Sequence, residues 1–466
     1  AMEESGADTV IVGLGSNDGG VNGLSLGQTE RFEDMYETFV RGFGEQPETR
    51  RVMMTSVMYR GNDGFSPLSN IATPTCTRPM QKRVAARLTA ENPEKYIFTD
   101  LGALTLGAAT DGSLLSSDLL HTDAEGYGIY AGVIYDALFN GVREVEAFEM
   151  TDIYLSASGR EGGAGTKDDP TSSIKAALYR AAPNATLHVV GKYTLPSYLV
   201  TPMDFEKLTV VGEGEGAALL TQSNVMQLHS DVVFDNILLD ARDASGNSKV
   251  LYIACNYHSV TLGEGVTTGA KTVLMAGSLV YSADSSTKYY TTASSVSSDR
   301  DCTITLLGSS FARVVGGNFR WHADAPIGAY SGSLTLNIGA GVKVADNIRN
   351  AICGENYLTG SITANVDAWT AGSPLREYAP YTALDGVTFD ASRNTGSVAL
   401  NLGEGVSPDV RLAYDFDGDG TVDLRDALCL LRYTLNGFDA AKSDNFFGRK
   451  TASLSDVIAL LGRLAK

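Results

Sequence analysis

The amino-acid sequence predicts a multidomain chain with three successive parts: a three-layer α/β unit, a parallel β-helix and a small α-helical calcium-binding module. Three observations predict this arrangement. Strand-like and helix-like segments alternate over residues 1–148. Short β-rich segments separated by glycine turns fill residues 152–412. An acidic loop and two helical patterns occupy residues 413–466.

The composition fits a soluble extracellular protein and disfavours two classes of partner. The formal net charge is −19, which argues against nucleic acid and against an anionic membrane surface. No segment approaches the roughly 18 consecutive apolar residues of a membrane span. The first residues lack the basic and apolar parts of a secretion signal. Five cysteines show no metal-binding spacing, and an odd number cannot all pair within the chain.

Hydrophobic patterning organises the N-terminal part. Short apolar runs predict buried parallel strands, and apolar residues at helical spacing predict the helices between them. The predicted strands cover residues 8–14, 51–57 and 96–100, and the predicted helices cover about residues 32–40, 82–89 and 124–139. This alternation predicts a sheet with helices on its faces, in which a site lies at the carboxyl ends of the strands.

Two motifs in this part resemble blocks of the SGNH (GDSL-type) hydrolases. Gly15-x-Asn17-Asp18 follows the first strand and resembles the third block of that family, whose asparagine donates to the oxyanion. Asp118-x-x-His121 resembles the last block, in which the histidine is the general base and the aspartate orients it. The resemblance implies Asn17, Asp118 and His121 as catalytic residues, which suits acyl transfer. The alternative is that Asn17 caps a turn and His121 caps the last helix.

The nucleophile of such a hydrolase is missing from the sequence. The family carries it in a Gly-Asp-Ser block upstream of the Gly-x-Asn-Asp block, and no Gly-Asp-Ser occurs anywhere in this chain. Three explanations stay open: the chain is a fragment of a longer product, it is a natural remnant, or Ser16 substitutes. A parallel sheet without its first strands would also expose a strand edge.

Repeated turn motifs favour a solenoid in the central part. Leu262–Val266, Ile338–Val342 and Leu402–Val406 are near copies of one sequence, as expected for stacked coils. The opening segment Tyr154–Gly159, followed by a short helical pattern over residues 173–182, resembles the start of pectate-lyase-like proteins. That resemblance implies a right-handed parallel β-helix with the short helix capping one end.

Two polar clusters and several aromatic residues are candidates for chemistry in the central part. Polysaccharide lyases of this shape use clustered acids for calcium and a basic residue as proton acceptor. Exposed aromatic residues could instead form a glycan-binding surface, and turn capping or packing is the third reading. The candidates are Asp231, Asp235, Asp240, Arg242 and Asp243 in one cluster, Asn318, Arg320, Trp321 and His322 in the other, and Tyr289, Tyr290 and Trp369 by type alone.

The segment from Asp415 to Asp426 has the spacing of a calcium loop. Carboxylates occupy loop positions 1, 3, 5, 9 and 12, and Gly420 at position 6 permits the sharp turn that the loop requires. A helical pattern follows at once. The alternative is a solvated acidic turn. The predicted Ca²⁺ ligands are the side chains of Asp415, Asp417, Asp419 and Asp426, the carbonyl of Thr421, and Asp423 directly or through water.

The loop and its two helical patterns resemble a type I dockerin, the module that attaches a secreted enzyme to a cohesin on a scaffoldin. The second loop departs from the family, since Phe447, Arg449 and Lys450 replace acidic residues and the glycine, so we expect calcium in the first loop. The resemblance implies cohesin contacts from Leu424, Arg425, Leu431 and Arg432, with the two leucines as core residues in the alternative reading.

Together the resemblances predict a secreted cellulosome component that acts on plant cell-wall polysaccharide. The first hypothesis is an SGNH-type carbohydrate (acetyl) esterase whose serine block is missing from this chain. The second is a polysaccharide lyase or glycan-binding protein that acts through the β-helix. The third is a non-catalytic assembly subunit that acts only through its dockerin. A module of this kind indicates the context of a reaction but not the reaction itself.

Overall fold

The computed structural model describes most of the chain and divides it into two compact units, Ala1–Lys249 and Val250–Lys466. The described residues are 7–15, 26–59, 73–103, 106, 114–117, 121–141, 149–195, 198–280, 297–321, 325, 327–347, 349–377, 393–406, 409–411, 416, 423–436 and 453–465. Within these residues, the helices are too short or too polar to cross a lipid bilayer.

The first unit opens with a three-stranded parallel sheet in the order β1-β2-β3. The strands are β1 (Thr9–Val12), β2 (Arg51–Thr55) and β3 (Tyr96–Thr99). The helices are α1 (Leu26–Gly44), α2 (Arg78–Glu91), which continues a π-helical turn over Thr73–Thr77, and α3 (Ala124–Tyr135), which runs into a π-helical turn over Asp136–Asn140. The predicted alternation of parallel strands and helices is therefore confirmed.

Helices cover both faces of this sheet because alternate strand residues point to opposite sides. On one face Val52 and Met54 pack with Val40 of α1 and Leu88 of α2. The opposite face packs against the turn that follows α3, through a small cluster of Met53, Ile97 and Ala137. β1 forms one edge of the sheet, and its Ile11 side chain is exposed. The described part of the sheet is thus a three-layer arrangement with an exposed edge strand.

The remainder of the first unit is a set of strands that pair in parallel, apart from the last, which pairs antiparallel with the strand before it in this set. They are β4 (Met150–Arg160), β5 (Ala181–Leu195), β6 (Leu199–Val200), β7 (Lys207–Thr221), β8 (Val225–Gln227), β9 (Asp231–Asp235), β10 (Leu238–Arg242) and β11 (Ser248–Lys249), with helix α4 (Ile174–Arg180) before β5. β4, β5, β7 and β9 pair in that order and place Ile153, Leu187, Val210 and Phe234 in register. These four side chains are buried, so like residues stack along the sheet.

The second unit repeats this arrangement in several short parallel ladders. Its strands are β12 (Leu251–Ala254), β13 (Val260–Leu262), β14 (Thr267–Thr268), β15 (Thr272–Met275), β16 (Leu279–Val280), β17 (Cys302–Leu306), β18 (Ser310–Phe311), β19 (Arg313–Val315), β20 (Phe319–Arg320), β21 (Ala329–Tyr330), β22 (Ser333–Ile338), β23 (Lys343–Val344), β24 (Tyr357–Leu358), β25 (Ser361–Val366), β26 (Pro374–Arg376), β27 (Ser397–Leu402) and β28 (Asp409–Arg411). One ladder has the order β13-β17-β22-β25-β27, and a second has the order β19-β15-β12.

Both sides of the longest ladder are ordered by register. Ile304 and Leu336 are paired and buried on its inner side. On the outer side, the Asn365 amide donates to Asn337 Oδ1 at 2.7 Å, and the Asn401 amide donates to Asn365 Oδ1 at 2.8 Å. Each amide satisfies the next, so the strands are held in line by side chains as well as by the backbone.

The three near-identical sequence motifs form the same turn. In each, the final valine donates its backbone N–H to the carbonyl of the first glycine, and all three hydrogen bonds measure 3.1 Å. The motifs follow β13, β22 and β27, which belong to one ladder. The repeat that was read from the sequence therefore corresponds to a repeated structural element.

The C-terminal part of the second unit is a pair of helices, α5 (Leu424–Asn436) and α6 (Leu454–Leu464). They pack on each other around a small core of Phe416, Ala427, Leu430, Val457 and Leu460. The core residues recur at i and i+3 in both helices, which is the spacing of one helical face.

Candidate functional site

The carboxyl edge of the three-stranded sheet holds a buried polar network. The Ser56 hydroxyl donates to Asp100 Oδ1 at 2.6 Å. Arg78 donates to both oxygens of Asp100, from Nε at 2.9 Å and from Nη2 at 2.6 Å. The backbone N–H of Gly102 donates to the Ser56 hydroxyl at 3.1 Å. Strand ends of this kind are where α/β sheets place their sites, so this network lies where a site was predicted.

The charges in this network are matched to each other. Burial raises the pKa of the Asp100 carboxyl, but the Arg78 guanidinium and the Ser56 hydroxyl outweigh burial and hold that pKa below its usual value. Because both oxygens of the carboxylate accept from one planar guanidinium, the pair is rigid as well as neutral. The network is therefore built to satisfy two buried charges.

A side chain from helix α4 covers this edge. The Arg78 guanidinium lies 5.1 Å from the ring centroid of Tyr179, a residue of α4. The Tyr179 hydroxyl donates to the Val57 carbonyl at 3.5 Å, and Tyr59 and Tyr179 pack edge to face at 5.8 Å. A Cβ at Gly102 would meet the Val57 carbonyl at 2.5 Å, so only glycine allows this close approach. Packed side chains thus occupy the carboxyl edge of the three-stranded sheet.

The three residues predicted to be catalytic are placed as follows. Asn17 and Asp118 lie outside the described residues. His121 is exposed on the turn before α3, and its carbonyl accepts hydrogen bonds from the backbone and hydroxyl of Ser116 at 2.7 and 3.0 Å. The alternative in which His121 caps α3 is wrong, because the N-cap is Asp123, which accepts from Gly126 at 2.8 Å.

The first polar cluster of the central part consists of local contacts. Asp240 is buried, pairs with Arg242 at 2.9 Å and accepts from the Ser248 hydroxyl at 2.9 Å. Asp243 accepts from the backbone of Ser245 and Asn247 at 2.9 Å in each case, so it closes a turn. Among the described residues, no group of three or more histidine, cysteine or acidic side chains is arranged to hold a metal ion. Asp240, Arg242 and Asp243 therefore serve the turn and the strand pairing.

The second polar cluster separates into buried and exposed members. Asn318 and Arg320 are buried, whereas Trp321 keeps 37% of its surface exposed. Trp369 donates its indole N–H to the Ser373 carbonyl at 2.6 Å and is partly buried, as packing would require. His322, Tyr289 and Tyr290 lie outside the described residues. Trp321 is thus the described member of this cluster whose aromatic surface faces solvent.

Two of the six predicted calcium ligands lie in the described residues, and both lie at the start of α5. Asp426 is fully buried and accepts from the backbone of Phe416 at 2.6 Å and of Asp423 at 2.8 Å. Asp423 accepts from the backbone of Arg425 at 2.6 Å. The other four, Asp415, Asp417, Asp419 and Thr421, lie outside the described residues. The residues proposed for this site offer oxygen ligands throughout, which fits a hard divalent cation.

The start of α6 repeats the geometry of the start of α5. Asp456 accepts from the backbone of Ser453 at 2.7 Å, as Asp426 does from Asp423, and each aspartate is the third residue of its helix. The remainder of the second loop lies outside the described residues. The two helices therefore begin with the same aspartate-to-backbone hydrogen bond.

The helix pair also exposes large apolar side chains. Of the four predicted cohesin contacts, Leu424, Arg425 and Arg432 are exposed, whereas Leu431 packs against the core of the pair. The prediction from sequence missed further exposed residues, although both helices carry more large apolar residues than one contact face can bury. The exposed apolar residues of the pair are Leu424, Leu428, Leu435, Leu454, Ile458 and Leu461. We call these six residues the apolar row.

Comparison of this chain with protein-family models, with curated proteins and with solved structures gives no match.

Proposed function

We propose that this protein is a secreted subunit of a cellulosome-like assembly, which docks on a cohesin through its C-terminal helix pair. The observation that carries the proposal is the apolar row. Leu424 is 65% exposed, Ile458 is 63% exposed and Leu435 is 72% exposed, although each lies on a helix whose other face already packs in a core. Large apolar side chains exposed at helical spacing on both helices are typical of a surface that binds a partner.

In this proposal, a bound calcium ion stabilises the helix pair that carries the docking surface. Asp426 would hold the ion together with Asp415, Asp417, Asp419, Asp423 and the Thr421 carbonyl. The two backbone hydrogen bonds that Asp426 accepts fix its carboxylate at the start of α5. Bound Ca²⁺ supplies positive charge that neutralises the acidic loop, and loss of the ion would leave the carboxylates repelling one another. The folding of α5, and hence the position of the residues of the apolar row on it, depends on that neutralisation.

The central strands support the proposed pectate-lyase-like right-handed β-helix. Parallel strands stack in register over successive passes of the chain, buried apolar residues align, and a single turn motif recurs after strands of one ladder. In this proposal α4 closes one end of the β-helix. The α/β unit that packs on α4 would be an SGNH-like domain, and its contribution would be to the structure of that end.

Catalysis at the α/β unit is the second candidate function, as an acetyl esterase acting on plant polysaccharide. The observation that favours it is the exposed His121 before α3 in a three-layer unit. The packing of Tyr179 onto the sheet edge counts against it. Non-catalytic attachment is therefore the better supported proposal.

The docking proposal is tested with an isolated type I cohesin in a surface-binding assay. A Leu428→Asp/Ile458→Asp double variant should weaken binding by about 100-fold or more, because each exposed apolar anchor contributes about 2 kcal/mol at an interface centre. The control is a Tyr135→Asp/Phe139→Asp variant, which places the same charges on exposed aromatic residues of the first unit and should bind normally. Excess chelator should abolish binding by the parent protein. Equal binding by parent and double variant would refute the proposal.

The esterase alternative is tested separately by acetate release from acetylated xylan and from an aryl acetate. His121→Ala is compared with His188→Ala, since His188 lies on the parallel sheet formed by β4, β5 and β7, where it contacts Asp152 and Glu213. Activity that is lost in His121→Ala and kept in His188→Ala would establish catalysis in the α/β unit. If the parent protein releases no acetate from either substrate but binds cohesin, attachment remains the function.

A further inference from the structure

Helix α3 and the π-helical turn that follows it pack on the first unit along one face. Tyr130 and Ala137 are buried, and Ile134 and Leu138 pack against the small cluster that lies between the helix and the sheet. These four residues recur at helical spacing, so the opposite face of the helix points away from the sheet. The exposed residues of that opposite face are Ala124, Gly128, Ala131, Gly132, Tyr135 and Phe139. We call these six residues the α3 outer face.

The α3 outer face is apolar and uncharged. Phe139 is 66% exposed and Tyr135 is 58% exposed, and their ring centroids lie 4.8 Å apart. Tyr127 and Ile129, which flank this face, are exposed as well. Large aromatic and aliphatic side chains grouped in solvent on one helix are typical of a surface that binds a partner.

Small and large side chains occupy separate halves of the α3 outer face. The first half carries Ala124, Gly128 and Ala131, and the second half carries Tyr135 and Phe139. A Cβ added at Gly128 would enter open space, so the small half is not filled by a neighbour from the described part of the chain. If a second copy of α3 lies antiparallel to the first, the large half of each helix falls on the small half of the other. The face is therefore complementary to itself, as a two-fold symmetric interface requires.

The charges at the two ends of α3 also match in this antiparallel arrangement. Glu125 is exposed in the first turn of the helix. At the other end, Arg51 donates to the Leu138 carbonyl at 3.1 Å, which places a guanidinium beside the last turn. A two-fold axis near Ala131 brings the first turn of one copy onto the last turn of the other, so two pairs of Glu125 and Arg51 form across it. A parallel arrangement would instead bring the two Glu125 carboxylates together.

We propose that the protein forms a two-fold symmetric dimer in which the α3 outer face pairs, antiparallel, with the same face of a second copy. Gly128 and Ala131 allow the helix axes to approach closely, and the rings of Tyr135 and Phe139 pack on the small half of the other copy. The helices overlap over about 24 Å, so the interface lies at the small end of specific interfaces, below about 1,200 Å². We therefore expect a dissociation constant in the micromolar range. The proposal does not depend on docking to a cohesin.

Sedimentation velocity of the whole protein in calcium, over about 1–300 μM, tests the pairing. The parent protein should change from monomer to dimer over this range, and a chain that stays monomeric throughout would overturn the proposal. Gly128→Leu fills the small half and should raise the dissociation constant by about 10-fold or more, while the monomer stays folded because the new side chain enters open space. The matched control is Gly42→Leu, which adds the same side chain to an exposed glycine of α1 and should dimerise like the parent.

Charge variants test the direction of the pairing. Glu125→Lys should raise the dissociation constant by about 10-fold, and Arg51→Glu in the same chain should restore part of the loss. Tighter dimerisation of Glu125→Lys would indicate parallel helices and overturn the proposal. So would a dimer that is kept in Gly128→Leu and lost in Leu428→Asp/Ile458→Asp, because the interface would then lie on the apolar row. Circular dichroism of each variant confirms folding.

Discussion

The carboxyl edge of the three-stranded sheet and the C-terminal helix pair have opposite distributions of polarity. At the sheet edge, the charged pair of Arg78 and Asp100 is buried beneath Tyr179. At the helix pair, large apolar side chains such as Leu435 and Ile458 lie in solvent. A domain that only had to fold would place these groups the other way round.

The comparison shows which region is complete in itself. Every oxygen of Asp100 has a donor, and the edge above it is filled, so the sheet edge already has its partner in α4. The helix pair has a core of its own and, in addition, the six exposed apolar side chains of the apolar row. The polar network at the strand ends is therefore a weaker indication of function in this chain than the exposed apolar side chains of the helix pair.

The largest expected effect comes from breaking the buried pair. Asp100→Asn should lower the free energy of unfolding of the first unit by about 3–5 kcal/mol, because it leaves the Arg78 charge buried without a carboxylate. Urea denaturation followed by circular dichroism measures the change. The control, Asp169→Asn, removes a carboxylate from the exposed pair with Arg160 and should leave the transition close to that of the parent. A small effect of Asp100→Asn would mean that water reaches the edge.

Removal of the covering ring should have the next largest effect. Tyr179→Ala should destabilise the first unit by about 3 kcal/mol, because truncation of a buried aromatic side chain leaves a cavity. Thermal unfolding and urea titration would both report the loss. Tyr135→Ala is the matched control, since Tyr135 is exposed on α3 and truncation there should cost little. Equal stability of the two variants would contradict the packed edge.

The acid sensitivity of the first unit should depend on Asp100. Its pKa is lower in the folded state than in the unfolded chain, so the pair contributes its full stability above the unfolded pKa of about 3.9 and loses it as pH falls from there through the lower folded-state pKa. Glu33 and Glu37, which pair with arginines, act in the same direction. The difference in stability between the parent and Asp100→Asn should therefore shrink between about pH 5 and pH 2. A constant difference over that range would contradict the assignment.

The smallest effect on folding is expected in the apolar row. Leu435→Lys should change the free energy of unfolding by less than about 0.5 kcal/mol, because the side chain is already 72% exposed. Leu430→Lys is the contrasting variant, since Leu430 lies in the core of the pair and a buried unpaired charge should unfold it. Chemical denaturation in calcium distinguishes the two. Marked destabilisation by Leu435→Lys would show that the row packs within the chain.

Sequence patterns predicted local features well where periodicity and turn chemistry decide the structure. The alternating strands and helices of the N-terminal part formed near their predicted positions, and the repeated motif after β13, β22 and β27 formed one turn. The same patterns did not separate Trp321, which is exposed, from its neighbours Asn318 and Arg320, which are buried. Burial at such positions depends on which strands stack above and below, and periodicity within one short strand carries no such information.

The sequence by itself determined the types of element, the repeated turn and the acidic spacing, because each depends on residues within one or two turns of the chain. Only the tertiary structure decided that the sheet edge is filled, since the hydrogen bond from Tyr179 to Val57 joins residues 122 positions apart. It likewise decided that the apolar row lies outside the core of the helix pair. Contacts over such separations follow from how whole elements pack, and packing selects which of several apolar faces meets a partner within the chain.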